Sequence, residues 1–250
     1  MTAPYFSDDS VTLYLGDCRE VLPTLDLQPD CIIADPPYGE TALGWDRWPD
    51  GWPAAVAAAG VRSMWCFGSM RMFLDRRDEF GAWKLSQDVV WEKHNGSGFA
   101  ADRFKRVHEH AVHWYRGAWS GLHHDVPRVP RTGPKVNGIR AGAQAAHARA
   151  IGYGRYEDDG MRLARSVLAA RSMHGRATHP TEKPTEVLGP LIHYACPSGG
   201  LVLDPFAGSG STAVAARATG RRAVLIEADE RYCEVIANRL AQDVLPIGGG

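Results

Sequence analysis

Two short runs of this 250-residue chain carry residue types that do chemistry when a strand presents them to a ligand. The first is Cys31-Ile32-Ile33-Ala34-Asp35-Pro36-Pro37-Tyr38-Gly39, an apolar stretch closed by a carboxylate, two prolines and an aromatic ring. Pro36 and Pro37 fix the backbone and have no N–H, which leaves their carbonyls free to accept from a ligand. Asp35 adds a second acceptor, and Tyr38 adds a flat face on which a base can stack. Two acceptors aimed at one exocyclic NH2, beside a stacking plate, make a receptor for an amino-bearing base. A rigid turn after a buried strand is the plainer use of the same residues. Trp45 and Trp48 follow in a loop, within reach of such a base or of nucleic acid.

The second run, from Leu201 to Thr212, reads Leu-Val-Leu-Asp-Pro-Phe-Ala-Gly-Ser-Gly-Ser-Thr: an apolar strand, a glycine turn and a helix start. Phe206, Gly208, Ser209 and Gly210 form a loop that lets a ligand approach backbone, and the helix behind it offers free amides. A dinucleotide fingerprint wants a third glycine where Ala213 stands, a position that sometimes accepts alanine. Asp204 separates the alternatives, because a carboxylate at the strand end opposes a pyrophosphate but suits the ammonium group of an amino-acid-like cofactor. Glu227 ends the next apolar run, where a carboxylate accepts from ribose hydroxyls. Asp17, in Gly16-Asp17-Cys18, supplies a third strand-end carboxylate, either a helix cap or an acceptor for an adenine amino group.

Bringing these ends together takes strands that finish side by side. Strand-like and helix-like stretches alternate through both ends of the chain, the signature of an α/β fold with a mostly parallel sheet. Strands are expected at 11–15, 31–34, 64–67, 88–91, 111–115, 201–203 and 223–226, and helices at 19–25, 53–59, 71–80, 185–195, from 211, and 230–241. Pro190 is expected to bend or interrupt the helix at 185–195.

The 44% hydrophobic content suits one large domain, or a domain with an insertion, and excludes disorder throughout. No apolar run of about 18 residues and no amino-terminal signal pattern is present, so no membrane partner and a cytoplasmic location are expected. Cys18, Cys31, Cys66, Cys196 and Cys233 are widely spaced, without a C-x-x-C pair, so neither a disulfide framework nor a zinc knuckle is expected. His108 and His110 share a strand face but His113 does not, and no metal is expected. A net charge of −1 argues at first against a nucleic-acid partner. From Lys93 to Lys183, however, 16 basic residues stand against 7 acidic ones, a balance of +9 that the rest of the chain offsets at −10. Nine of the ten histidines fall in the same segment.

Asp35-Pro36-Pro37-Tyr38, followed at a distance by the Asp204–Thr212 loop, resembles the amino-group DNA methyltransferases, which use S-adenosylmethionine. The resemblance extends to His179-Pro180-Thr181-Glu182-Lys183-Pro184, to Arg221–Glu227, and to Trp91-Glu92-Lys93 leading to His108-Glu109. Because the D-P-P-Y run precedes the glycine loop, the chain looks like the beta arrangement, in which the usual methyltransferase order is circularly permuted. The resemblance implies a Rossmann-like methyltransferase core in two halves, residues 1–116 and 179–250, with a basic target-recognition region inserted at 117–178. It implies catalysis by Asp35, Pro36, Pro37 and Tyr38, and cofactor contacts from Asp17, Thr181, Lys183, Pro184, Asp204, Phe206, Gly208, Ser209, Gly210 and Glu227. The expected reaction is methylation of the N6 amine of a flipped-out adenine in double-stranded DNA. Cytosine N4 is the nearest alternative, and a catalytically inactive DNA-binding relative is less expected. A nicotinamide-dependent dehydrogenase is disfavoured by Asp204 and leaves D-P-P-Y unexplained. The resemblance makes a homodimer plausible, leaves a restriction partner open, and suggests a minimal member without an appended DNA-binding domain.

Overall fold

A computed structural model describes residues 2–41, 43–97, 101–133, 138–140, 154–156, 159–171 and 182–243. The chain divides into two compact units, Met1–Asp125 with Ser166–Gly250, and Val126–Arg165. The larger unit begins with β1 (Phe6–Ser7), β2 (Val11–Leu15), α1 (Cys18–Val21), β3 (Cys31–Ala34), α2 (Trp52–Ala58), β4 (Ser63–Gly68), α3 (Met70–Asp75), β5 (Lys84–Ser97) and β6 (Arg106–Tyr115). The smaller unit holds β7 (Arg128–Pro130), β8 (Gly138–Arg140), β9 (Gly154–Tyr156) and β10 (Met161–Leu163). The larger one resumes with β11 (Val167–Ala169), α4 (Thr185–Ala195), β12 (Leu201–Asp204), α5 (Ser211–Ala218), β13 (Arg222–Glu227) and α6 (Glu230–Asp243).

Among the described residues, the larger unit is built on a nine-stranded sheet in the order β1-β2-β13-β12-β3-β4-β6-β5-β11. The run from β2 to β4 is parallel, whereas β6 is antiparallel to both β4 and β5. The parallel strands read as unbroken apolar runs because both faces are covered, so alternate side chains enter different cores. Cys31, Ile33, Val202, Ala223 and Leu225 pack under α4, α5 and α6. Ile32, Ala34, Leu203, Val224 and Ile226 face α1, α2 and α3. From β3 the chain crosses to β4 on one side, and from β12 to β13 on the other, so the direction of winding reverses between β12 and β3. Open α/β sheets place ligands in the crevice at the carboxyl ends of such a pair.

Three local expectations change. Helix α4 runs through Pro190 without interruption, because Val187, Leu188, Leu191 and Ile192 are buried around it and packing outweighs the lost hydrogen bond. The helix expected at 71–80 divides into α3 and a 3-10 turn at Arg77–Phe80. Trp48 is core rather than a nucleic-acid contact: it is buried, packs edge-on against Trp52, and donates its Nε1 proton to Glu79 at 2.6 Å. Trp45 stays 44% exposed. No helix among the described residues is long and apolar enough to cross a membrane.

In the smaller unit, β7 pairs with β10 and β8 with β9, each antiparallel. Arg128 clasps the Asp159 carboxylate through both terminal nitrogens, at 2.5 and 3.0 Å.

Candidate active site

Parallel pairing lines up the strand ends. Glu227 pairs with Leu15 and Asp204 with Leu225, so Asp17, Glu227, Asp204 and Asp35 follow one another along the carboxyl edge of β2, β13, β12 and β3. A cavity of about 830 Å³ opens along this edge. Asp17, Lys183 and the whole Asp35–Tyr38 run line it, as do Asp204, Phe206, Gly208, Ser209 and Glu227. Two expected residues stand off the wall. Pro184 caps α4 instead, its carbonyl accepting from Val187 and Leu188. Gly210 starts α5 at φ +76°, where a Cβ would come within 3.1 Å of Ile236, so this glycine serves the turn and the α5–α6 contact. Thr181 lies outside the described residues.

On the β12–β13 side the acidic groups accept from backbone amides, and Asp204 also from the Thr212 side chain. Asp204 accepts from the Phe206 amide at 2.9 Å, and Glu227 accepts from the Gly208 and Asp229 amides at 2.8 and 2.9 Å. Among the described residues neither forms an ion pair with a lysine or arginine. Burial therefore pushes the Asp204 carboxyl up to about 7 and raises Glu227 as well. Phe206 is braced edge-on against Trp52, with ring centroids 5.2 Å apart. Asp17 differs: it caps α1 through the Arg19 amide at 2.9 Å and grips the Arg19 side chain, which holds its carboxyl below the usual range.

On the β3 side the acids are neutralised. Lys183 donates to Asp35 and lies 3.3 Å from Glu109, while Lys93 reaches Glu109 at 2.7 Å. The Tyr38 hydroxyl lies 2.8 Å from Asp35 and 2.6 Å from Glu109. It has one proton to donate, so it serves one carboxylate at a time. Burial raises Asp35, with Glu109 adding to the shift and Lys183 opposing it. Burial would raise Glu109 too, but Lys183 and Lys93 outweigh it and bring the group down to about 2. The buried Glu109 and the half-buried Asp35 thus share two ammonium groups.

Four site residues were not singled out from sequence. Glu109 and Lys93 come from β6 and β5, whose pairing past the end of β4 brings them beside Asp35. Their only signal was the resemblance of the Trp91–Lys93 and His108–Glu109 stretches. Arg239 of α6 pairs with buried Glu182 at 3.0 Å and donates to the Ser209 carbonyl at 3.0 Å, tying the glycine loop to the segment before α4. Neither Arg239 nor Glu182 has a sequence signal beyond amphipathic helix and motif neighbour.

Residues 29–239 match the family of N6/N4 enzymes described as DNA methylase. The chain belongs to the N6/N4 DNA methylase family. The type II methyltransferase M.ScaI of Streptomyces caespitosus is 27% identical over 266 residues, covering 95% of this methylase and 83% of its own length. The crystal structure of the M1.HpyAVI–SAM complex aligns with a TM-score of 0.62 at 21% identity, covering 92% of this chain and 99% of that one. PvuII DNA methyltransferase, described as cytosine-N4-specific, aligns at 0.64 and 15% identity, over all of this chain and 91% of its own. The fold is the Rossmann-like methyltransferase fold, the substrate of this family is DNA, and its methyl donor is S-adenosylmethionine. The donor set of the methylase fits that cofactor: among the described residues the buried Asp204 and the half-buried Glu227 have no lysine or arginine partner, which suits a ligand that brings its own positive charge.

Proposed function

We propose that this methylase has the beta arrangement and acts on a specific DNA site, transferring the methyl group to the N6 amine of an adenine rotated out of the duplex. One observation carries the reading: Asp35 and Asp204 flank the same β12–β3 crevice, one beside a stacking ring and rigid carbonyls, the other buried and without a cation among the described residues. S-adenosylmethionine, when bound, supplies an electrophilic methyl group on a sulfonium. The residues suited to hold it are Asp204 for the ammonium group, Glu227 for the ribose hydroxyls, Asp17 for the adenine amine, and the Phe206–Ser209 loop for close backbone contact.

An amine conjugated into a base is a weak nucleophile. The Asp35 carboxylate and the Pro36 carbonyl accept its two N–H bonds and draw the lone pair out of the ring plane as the nitrogen becomes tetrahedral. Asp35 then stands where the proton leaving the methylated nitrogen can be taken. Pro37 holds the turn, and Tyr38 stacks the base while its hydroxyl stays between Asp35 and Glu109, donating to one of them at a time. Lys183 and Lys93 balance the buried charge. Catalysis here is orientation and placed charge, with no covalent enzyme intermediate. Since the amine lies inside a duplex, the base must leave the stack first. The inserted basic region, 117–178, supplies phosphate and base-edge contacts in this reading.

The same pair of acceptors fits the N4 amine of cytosine, which is the second reading. Incubation with unmethylated DNA and labelled S-adenosylmethionine, followed by mass spectrometry of the nucleosides, decides between them. N6-methyladenine is the expected product. N4-methylcytosine replaces the first reading with the second, and no incorporation overturns both.

A further inference from the structure

A groove of about 720 Å³ adjoins the catalytic cavity through Tyr38, Glu40 and Arg106, which line both. Arg71 and Arg76 form one wall, and Arg103, Phe104 and Arg106 the other. Four arginines line it beside two carboxylates, Glu40 and Asp75. Arg106 lies 3.5 Å from Glu40, Arg103 is clasped by Asp102 at 2.7 Å, and Arg76 lies 3.4 Å from Asp50, all of them solvent-exposed pairs that a polyanion can displace. All of the groove's lining residues belong to the larger unit.

Phe104 is the anomaly in this wall. Its relative exposure is 102%, the highest of the exposed large hydrophobic side chains among the described residues, and Arg103, Lys105 and Arg106 surround it in sequence. A fully solvated phenyl ring gains nothing from the fold. Three cations around it disfavour an apolar protein partner and suit a polyanion that also offers flat apolar surfaces, which describes a nucleic-acid strand. The position adds the rest. A base held at Tyr38 leaves a gap in the stack it came from, and apolar wedges fill such gaps while cations hold the neighbouring phosphates.

We infer that the segment leading into β6 is a DNA wedge: Phe104 enters the base stack beside the target, and Arg103, Lys105 and Arg106 neutralise the flanking phosphates along the groove. This rests on the base-flipping reading above.

The test compares two duplexes carrying the mapped recognition site, one fully paired and one mispaired at the target base. Unpairing removes much of the cost of extrusion, so a wedge matters most on the paired duplex. For Phe104→Ala the ratio of kcat/KM on paired to mispaired DNA falls about tenfold or more, and Phe104→Trp restores it. With 2-aminopurine at the target, the fluorescence rise on binding shrinks for Phe104→Ala. Arg103→Gln and Lys105→Gln each lower the slope of log affinity against log salt by about one. An unchanged ratio, including equal losses on both duplexes, overturns the wedge while leaving the methylase reading intact. A wild-type protein that methylates no DNA overturns that reading and the wedge with it.

Discussion

The two sides of the crevice treat buried acids in opposite ways. At the ends of β12 and β13, Asp204 and Glu227 accept from backbone amides, Asp204 also from the Thr212 side chain, neither pairs with a lysine or arginine among the described residues, and burial raises both. Across the crevice, Asp35 and Glu109 share Lys183 and Lys93, and Glu109 is brought down to about 2. A buried charge without a partner is costly, so proteins either pair it or leave it for a ligand to pair. In the proposed reading the first side receives the cation, and the second, with two ammonium groups on two carboxylates, is free to direct hydrogen bonds. That division matches a reaction in which a charged donor meets a neutral base.

The largest expected effect breaks the second side. Asp35→Ala removes one of the two acceptors on the amine, and single-turnover methyl transfer should fall about a hundredfold to a thousandfold. Equilibrium binding of S-adenosylmethionine should change little, because the acids proposed to hold it stand across the crevice. Undiminished transfer by this variant would sink the assignment of Asp35.

Asp204→Asn breaks the first side instead, and there binding should suffer before chemistry. Its loss should weaken cofactor affinity about tenfold at pH 8, the order expected when a charged hydrogen bond is removed. The sign of the pH dependence follows from its raised carboxyl. With a value of about 7 in the unliganded protein, Asp204 is ionised above that pH and protonated below it. Affinity for a cationic ligand should therefore fall as pH drops from 8 to 6, and Asp204→Asn should flatten that fall. Calorimetric titration across this range measures both; a pH-independent wild type would remove the contrast between the two sides.

Which parts of this contrast could be read from the chain depends on how local their signals are. The ends of β2, β3, β12 and β13 were legible because each is an apolar run stopped by a carboxylate within one or two residues. Their convergence was legible too, since parallel strands must finish on one edge. The lysine pairing was not. Lys183 is 148 residues from Asp35, and Glu109 is 71 from Tyr38, so no periodicity links them. Strands β5 and β6 extend well beyond the expected 88–91 and 111–115, because their outer halves, rich in Lys, Arg and His, carry no apolar alternation. Trp48 was read as a loop aromatic because nothing nearby in sequence announces Trp52, Phe80 and Glu79 as its surroundings.

Glu109→Gln sharpens the comparison by shifting the charge balance without touching the acceptors. Glu109 raises Asp35, so its removal lowers the Asp35 carboxyl, and Lys93 and Lys183 are left facing one acid instead of two. If Asp35 must be ionised to accept from the amine, the acidic limb of the kcat profile should move to lower pH. kcat at its plateau should fall about tenfold, since Tyr38 and Lys183 each lose a charge-assisted hydrogen bond. A purely structural role for Glu109 predicts a lower plateau with the limb unmoved.

The smallest effect belongs to the tie between the segment before α4 and the glycine loop. Arg239 is only 25% exposed and bonds both Glu182 and the Ser209 carbonyl. Arg239→Ala removes two hydrogen bonds, one of them charge-assisted, and should cost about 2 kcal/mol in urea unfolding. Because Ser209 lines the cofactor side, the same variant should loosen S-adenosylmethionine binding a few fold while leaving the pH position of the kcat limb alone. Arg239→Lys keeps the charge, but the single nitrogen, Nη1, that meets both Glu182 and Ser209 is replaced by a shorter ammonium, so it should recover stability more fully than cofactor affinity. Equal recovery of both would mean that the loop is held by Glu182 pairing alone, and that its geometry is set within the β12–α5 turn.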